Sequence, residues 1–344
     1  MSNTNWRTSN MSLAQAFLAQ LNEFHTYPEP YDDDLHIHMS EGLAKYLRQG
    51  KDVDWSKPYF APSASTKCKR ELYTKALRND KGYQMYKRDS RDWKPHQRRV
   101  TALGTAIGGW LQWEILLMER HFKKFTGKDP RFIFAKTEDG YPLMEDFAYV
   151  SHEVEQDGQI FSLNGTTDGI LVDTHTGEKV MLEIKSKQET PSKTNYTQMQ
   201  EPKDAHVKQV TCYSEMYGVE NAIIVYVNAA KPKWFADDET LEKSPDVRAF
   251  DVHVSQSMRD NVFEYFASIR NCVDEGKPPL PELAKWQFND YKTAIIETLT
   301  DDEIESLEVH LSLFKPSNNM AWMKRTMEKS LADIRSRKRA LQSV

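Results

Sequence analysis

The clearest sheet signal in the chain lies between Gln159 and Lys187, and it decides which folds are open to it. Gln159 to Val172 reads as a strand that contains or follows a Gly-Thr-Thr-Asp-Gly kink. Thr176-Gly177-Glu178 reads as a turn and Lys179 to Lys187 as the next strand. Asn221 to Asn228, with its Ala-Ile-Ile-Val-Tyr-Val run, predicts a buried strand. Shorter strand pieces are expected at 131–135, 147–154 and 249–254.

Helices surround these strands. Over Ala102–Phe125, the residues Ile107, Trp110, Leu111, Ile115, Met118 and Phe122 recur so as to form one apolar face. Lys203–Tyr217 reads as a helix closed by Gly218, and Gln256–Asp274 as another that stops before Gly276. Residues 12–48 and the last sixty read as mostly helical, the latter broken at Lys315-Pro316-Ser317-Asn318-Asn319. The predicted class is α/β, a mixed central sheet flanked by helices, with helical additions at both ends. Along the chain this divides into an N-terminal extension (1–58), a core (59–280) and a C-terminal helical region with a basic tail (281–344).

Composition narrows the function classes. With 28% charged residues and no apolar run of about 18–20 residues, no membrane span is expected. Met1–Leu13 is polar and lacks a signal-peptide stretch, so the expected location is the cytoplasm. Cys68, Cys212 and Cys272 are an odd, scattered set, which argues against a disulfide framework and cannot supply a four-cysteine iron–sulfur cluster. The net charge is −5, yet Lys67–Arg99 holds twelve basic residues against four acidic ones, and Lys324–Arg339 seven against two. Two basic segments therefore sit on an otherwise acidic chain.

The chemistry concentrates on the predicted hairpin. Glu183 and Lys185 lie two apart on a strand, so they project from one face roughly 6.5–7 Å apart, while Ile184 points into the core. Across the turn, pairing brings Asp168 near Glu183. Two carboxylates beside a phosphate make an oxygen-rich site suited to Mg²⁺ or Mn²⁺. On the following helix His206, Gln209 and Tyr213 share a face. Taken singly, Glu-x-Lys also fits a surface ion pair and Asp168-Gly169 a plain turn; the ordered combination carries the signal.

Asn164-Gly165-Thr166-Thr167-Asp168-Gly169, then Leu182-Glu183-Ile184-Lys185-Ser186-Lys187, then Gln209-Val210-Thr211-Cys212-Tyr213 resemble the motifs of the PD-(D/E)xK nucleases. The resemblance is closest to the RecB-type exonucleases, including CRISPR-adaptation and phage members, and covers roughly residues 60–280 in motif order. It implies a restriction-endonuclease-like fold. It also implies metal binding by Asp168, Glu183 and the Ile184 carbonyl, with Lys185 assisting the attacking water. Gln209 and Tyr213 would stand beside the site. Two departures stand out. Gly108 occupies the place of a histidine common in that branch, with Glu114 as the candidate replacement ligand. The C-terminal cysteine trio of cluster-bearing relatives is missing, so Cys68 is expected to be a small buried residue and no iron–sulfur cluster is expected.

Lys67–Arg99 interleaves Tyr73, Tyr83, Tyr86 and Trp93 with its charges, a pattern suited to tracking phosphates and stacking bases. Lys67, Lys69, Arg70, Tyr73, Arg98, Arg99 and Lys187 are the predicted nucleic-acid contacts. The C-terminal basic run reads as a soluble tail. The function expected is a Mg²⁺- or Mn²⁺-dependent DNA exonuclease of replication, recombination or repair, of the kind phages also encode, acting on single strands or duplex ends. Two other readings share the fold: a nicking or structure-specific endonuclease, and a binding protein on an inactive nuclease scaffold. Protein partners are not indicated by any motif.

Overall fold

The computed structural model describes residues 11–51, 53–90, 93–231, 233–315, 317 and 320–343. Most of the polar N-terminal stretch, Arg91, Asp92 and three residues of the predicted 315–319 break lie outside the described residues. The chain opens with helices α1 (Leu13–Phe24) and α2 (Asp33–Gln49), then β1 (Tyr59–Phe60) and α3 (Lys69–Ala76). The long helix α4 (Pro95–Thr126) leads to β2 (Phe132–Phe134), β3 (Val150–Gln156), β4 (Gln159–Gly165), β5 (Gly169–Asp173) and β6 (Lys179–Lys187). α5 (Asp204–Tyr217), β7 (Asn221–Asn228), α6 (Asp238–Lys243), β8 (Val247–His253) and α7 (Gln256–Asp274) follow. The chain then runs through α8 (Lys292–Thr298), α9 (Asp301–Leu313) and α10 (Ala321–Gln342). No helix of the described residues is long and apolar enough to cross a membrane.

Two compact units emerge, each assembled from separate stretches of sequence: 1–53, 93–152 and 163–259 in the first, and 54–92, 153–162 and 260–344 in the second. The first contains a five-stranded sheet in the order β2-β5-β6-β7-β8. β6 and β7 run parallel, pairing Glu183 with Ile224 and Lys185 with Tyr226, while the other neighbours are antiparallel. β6 and β7 sit centrally, as their apolar runs require: Val180, Met181, Leu182 and Ile223–Val227 are all buried. α5 joins them as the crossover that a parallel pair needs. The mixed sheet flanked by helices predicted from the sequence is thus observed.

Where the structure departs from the sequence reading, local causes are visible. The expected single strand 159–172 is two strands; β4 belongs to a three-stranded sheet β1-β4-β3, and the chain turns at Thr166–Asp168 before β5 enters the other sheet. α4 begins seven residues earlier than its apolar pattern, because Pro95 occupies the first turn, where its missing N–H costs nothing. It ends at Gly127, whose φ of 74° is the left-handed cap conformation. Leu111, Ile115, Met118 and Phe122 bury against α1 and the sheet, whereas Trp110 stays exposed beside the His25 ring. α1 is started by a reciprocal cap between Ser12 and Gln15, and its Ala14 N–H donates to Asp251 Oδ1 at 2.7 Å on β8.

The second unit has its own core, in which Trp286, Ile295, Leu299, Leu307, Leu331 and Ile334 join α8, α9 and α10.

Candidate active site

The turn into β5 is built to hold one carboxylate. Thr167 is fully buried; its hydroxyl donates to the Leu182 carbonyl at 3.1 Å, and its N–H donates to the Tyr217 hydroxyl at 3.3 Å. Gly169 is required by contact rather than by backbone angle: a Cβ there would lie 2.5 Å from the Phe134 ring. From α4, the buried Gln112 donates to the Asp168 carbonyl at 3.0 Å. The Asp168 side chain is then aimed across the strand gap, where its Oδ2 accepts the Ile184 N–H at 2.5 Å.

On β6 the alternation expected from sequence is realised. Ile184 joins the apolar core, while Glu183 and Lys185 share the opposite face and form an ion pair. The Lys185 ammonium also donates to Gln209 Oε1 at 3.0 Å, and Gln209 Nε2 donates to the Tyr213 hydroxyl at 3.4 Å. One connected chain therefore runs Glu183–Lys185–Gln209–Tyr213, with Asp168 alongside. His206, on the same helix, bonds instead to the Tyr226 hydroxyl at 2.8 Å.

Electrostatics mark this place. Burial raises the Asp168 carboxyl well above the ordinary carboxylate range, and the Glu183 charge adds to it; the Ile184 N–H and Lys185 pull the other way. Burial also raises Glu183, against the charge and hydrogen bond of Lys185. Burial, followed by the Glu183 charge, pushes the Tyr213 phenol up. Two enclosed carboxylates thus share one ammonium, a local excess of negative charge.

A divalent cation fits that excess. Among the described residues no three His, Cys, Asp or Glu side chains converge on one metal position. Mg²⁺, however, is commonly held by one or two carboxylates and completes its shell with water and substrate phosphate. The N–H and C=O of one strand residue point to the same side, so the Ile184 carbonyl faces the side on which its N–H meets Asp168. The donor set is all oxygen, as a hard cation requires.

Other predicted residues fall elsewhere. Glu114 is buried but its carboxylate accepts from His25 Nε2 at 3.2 Å. It lies two residues, about 200° of helix rotation, from Gln112, so when Gln112 faces Asp168, Glu114 cannot. In this structure the α4 side chain that meets Asp168 is thus Gln112, and Glu114 is directed to His25. A Cβ at Gly108, one turn before Gln112, would meet open space. Arg70 belongs to the second unit and is fully buried; its guanidinium donates to Glu303 at 2.8 Å, the Pro279 carbonyl at 3.1 Å and Thr298 at 3.2 Å. Tyr73 is buried as well, Lys67 pairs with Glu71 at 2.6 Å and Asp290 at 3.2 Å, and Lys69 donates to Ser268 at 2.8 Å. Arg70 and Tyr73 therefore have no free surface for a nucleic acid, and Lys67 and Lys69 are engaged inside their own unit. Arg98 and Arg99 are exposed on the first turns of α4, next to Val100, whose carbonyl accepts from Gln188 at 2.9 Å just beyond β6. Cys68 is buried and accepts the Glu282 N–H at 3.3 Å, and burial raises its thiol.

Two residues escaped the sequence reading. Glu145 is an exposed carboxylate whose charge raises both Asp168 and Glu183; the Leu143 carbonyl beside it accepts the Ile170 N–H at 2.8 Å. No spacing pattern points to it. Gln112 carried a signal, since it is a polar residue next to the apolar face of α4.

Asp168, Glu183 and Lys185 thus gather just past the last β5–β6 pair, Gly169 with Leu182. No protein-family model matches the chain, and no curated protein sequence does. Among solved structures, it is similar to the alkaline exonuclease LHK-Exo of Laribacter hongkongensis, with 16% identity over 64% of this chain and 91% of that one, at a TM-score of 0.36. It is also similar to a phage-related exonuclease from Haemophilus somnus, with 16% identity over 37% of this chain and 60% of that one, at a TM-score of 0.26.

Proposed function

We propose that the chain is a Mg²⁺- or Mn²⁺-dependent deoxyribonuclease, acting as an exonuclease on DNA ends, with its active site at Asp168, Glu183 and Lys185. One observation carries this reading. Asp168 and Glu183 are enclosed together with a single ammonium, and both are raised by burial, an arrangement that is costly without a cation. The motif order Asp168, Glu183-x-Lys185, Gln209-x-x-x-Tyr213 is that of the RecB-type branch of the PD-(D/E)xK nucleases, which supports the same reading.

Asp168, Glu183 and the Ile184 carbonyl would hold the cation, which when bound supplies positive charge to a phosphoryl oxygen and acidity to the attacking water. The residues do the rest. Lys185, fixed by Gln209 and Glu183, places an ammonium where negative charge grows on the phosphate during hydrolysis. Gln209 fixes the direction of that ammonium, and Tyr213 in turn fixes Gln209. The Ile184 N–H fixes the rotation of the Asp168 carboxylate.

The test uses end-labelled linear and closed circular DNA with Mg²⁺, Mn²⁺ or EDTA. Expected is end-dependent degradation of linear DNA with metal, none in EDTA, and intact circles. Cut circles would replace the exonuclease by an endonuclease. Asp168→Ala, Glu183→Gln and Lys185→Ala should each abolish cleavage; full activity in all three would remove the assignment.

A further inference from the structure

Beside the candidate active site lies a second group of charges that the proposed reaction does not use. On β6, Lys187 follows Lys185 on the same face, two residues further along. Its ammonium lies 5.1 Å from the centre of the Tyr226 ring and within reach of the charge of Lys203, the residue capping the start of α5. The Tyr226 hydroxyl accepts the Lys203 N–H at 2.9 Å and bonds His206 Nδ1 at 2.8 Å. One tyrosine thus pins the start of α5 against the strand that carries Lys187.

Like charges held this close need a reason. Neither Lys187 nor Lys203 has a carboxylate ion-pair partner among the described residues, and the acidic neighbours are already taken: Glu189 pairs with Lys193 at 2.6 Å and Asp204 with Lys208 at 2.9 Å. Burial, and then the Lys203 charge, press Lys187 down to about 8. Burial and the charges of Lys185, Lys187 and Lys203 hold His206 down at about 3, so it is neutral near pH 7. The first turn of a helix adds unpaired N–H groups and the positive end of its dipole. Apart from Glu189 and Asp204, each paired to another lysine, the groups here favour an anion, and an anion between the two ammonium groups removes their repulsion.

We propose that Lys187, Lys203 and the first turn of α5 form a phosphate-binding subsite that holds a second, non-scissile phosphate of the nucleic acid. The subsite deepens the nuclease reading and rests on it for the identity of the ligand. Its phosphate is either a terminal monoester or an internal diester.

The full chain is titrated in EDTA with a fluorescent duplex carrying either a 5′-phosphate or a 5′-hydroxyl end, across 50–200 mM NaCl. Each neutralised phosphate contributes about 0.7–0.9 to the slope of log K against log salt. The double variant Lys187→Gln/Lys203→Gln, which gives up one phosphate, should therefore lower that slope by about 0.7–0.9. A loss confined to the 5′-phosphorylated duplex assigns a terminal phosphate; an equal loss on both assigns an internal one. As a second measurement on the wild-type chain, inorganic phosphate added at constant ionic strength should shift the His206 imidazole signal in NMR, and the double variant should show no such shift. An unchanged salt slope in a folded double variant, or a His206 signal indifferent to phosphate, overturns the subsite. Since no step requires cleavage, a chain that binds here and cuts nothing keeps the subsite and loses the nuclease assignment.

Discussion

The Lys185 ammonium donates to Gln209 Oε1 at 3.0 Å, joining β6 to α5 through one hydrogen bond. Hydrogen bonds to charged groups contribute about 1.5–3 kcal/mol. Gln209→Leu should keep the fold and lower kcat by roughly ten- to a hundredfold, as that energy converts at 1.36 kcal/mol per tenfold. Steady-state kinetics beside a thermal melt checks this. Unchanged kcat would show that Lys185 does not depend on Gln209 for its position.

Asp168 and Glu183 repel each other, and burial raises both. A carboxyl whose folded pKa is raised contributes stability below the unfolded value near 4, and that contribution is lost as pH rises through the folded value. In EDTA the chain should therefore lose stability as pH climbs above the usual carboxylate range. Asp168→Asn keeps an oxygen for the Ile184 N–H and removes the repulsion, so it should gain about 1 kcal/mol in EDTA. It should also lose the stabilisation that Mg²⁺ gives the wild-type chain. Urea titrations with and without Mg²⁺ decide; a destabilised Asp168→Asn variant in EDTA would count against the repulsion.

Gly169 lies under the Phe134 ring, where a Cβ would approach to 2.5 Å. Gly169→Ala should cost about 1–3 kcal/mol through overpacking. Because Asp168 is the preceding residue, cleavage should fall more than stability accounts for. Pairing it with Phe134→Leu, which gives room, should recover part of both. No recovery would place the cost outside this contact.

Asp173 is fully buried and accepts from Arg131 Nε at 3.0 Å and Nη2 at 2.7 Å. Burial raises its carboxyl, but the Arg131 hydrogen bonds and the His175 N–H outweigh burial and hold it below the ordinary value. The stability from a lowered carboxyl is present above pH 4 and is lost as pH falls through the folded value. Arg131→Ala strands the carboxylate and should cost about 3–5 kcal/mol at pH 7. The deficit should shrink in acid, as a pH series of denaturation midpoints would show; a pH-independent deficit would mean that the loss is one of packing.

Much of the candidate site could be read without a structure, since it rests on local geometry. The period of two in a strand puts Glu183 with Lys185 and sends Ile184 inward, whatever surrounds them. The helical period sets Gln209 and Tyr213 on one face of α5. The turn at Thr176-Gly177 brings Asp168 beside Glu183, because an antiparallel hairpin has a narrow choice of registers.

Tertiary packing decided the rest. Whether Gln112 or Glu114 faces Asp168 depends on how α4 is rotated against the sheet, which contacts with α1 and β2 settle and no spacing reveals. Arg70 looks like a surface cation beside its basic neighbours, yet Pro279, Thr298 and Glu303 close over it from more than two hundred residues away. Glu145 reaches the site because the segment after β2 folds back along β5. The sequence by itself determined the cluster of Asp168, Glu183 and Lys185, through periodicities that belong to the backbone. The tertiary structure decided which other charges meet that cluster, because burial and charge proximity are set by contacts between distant segments.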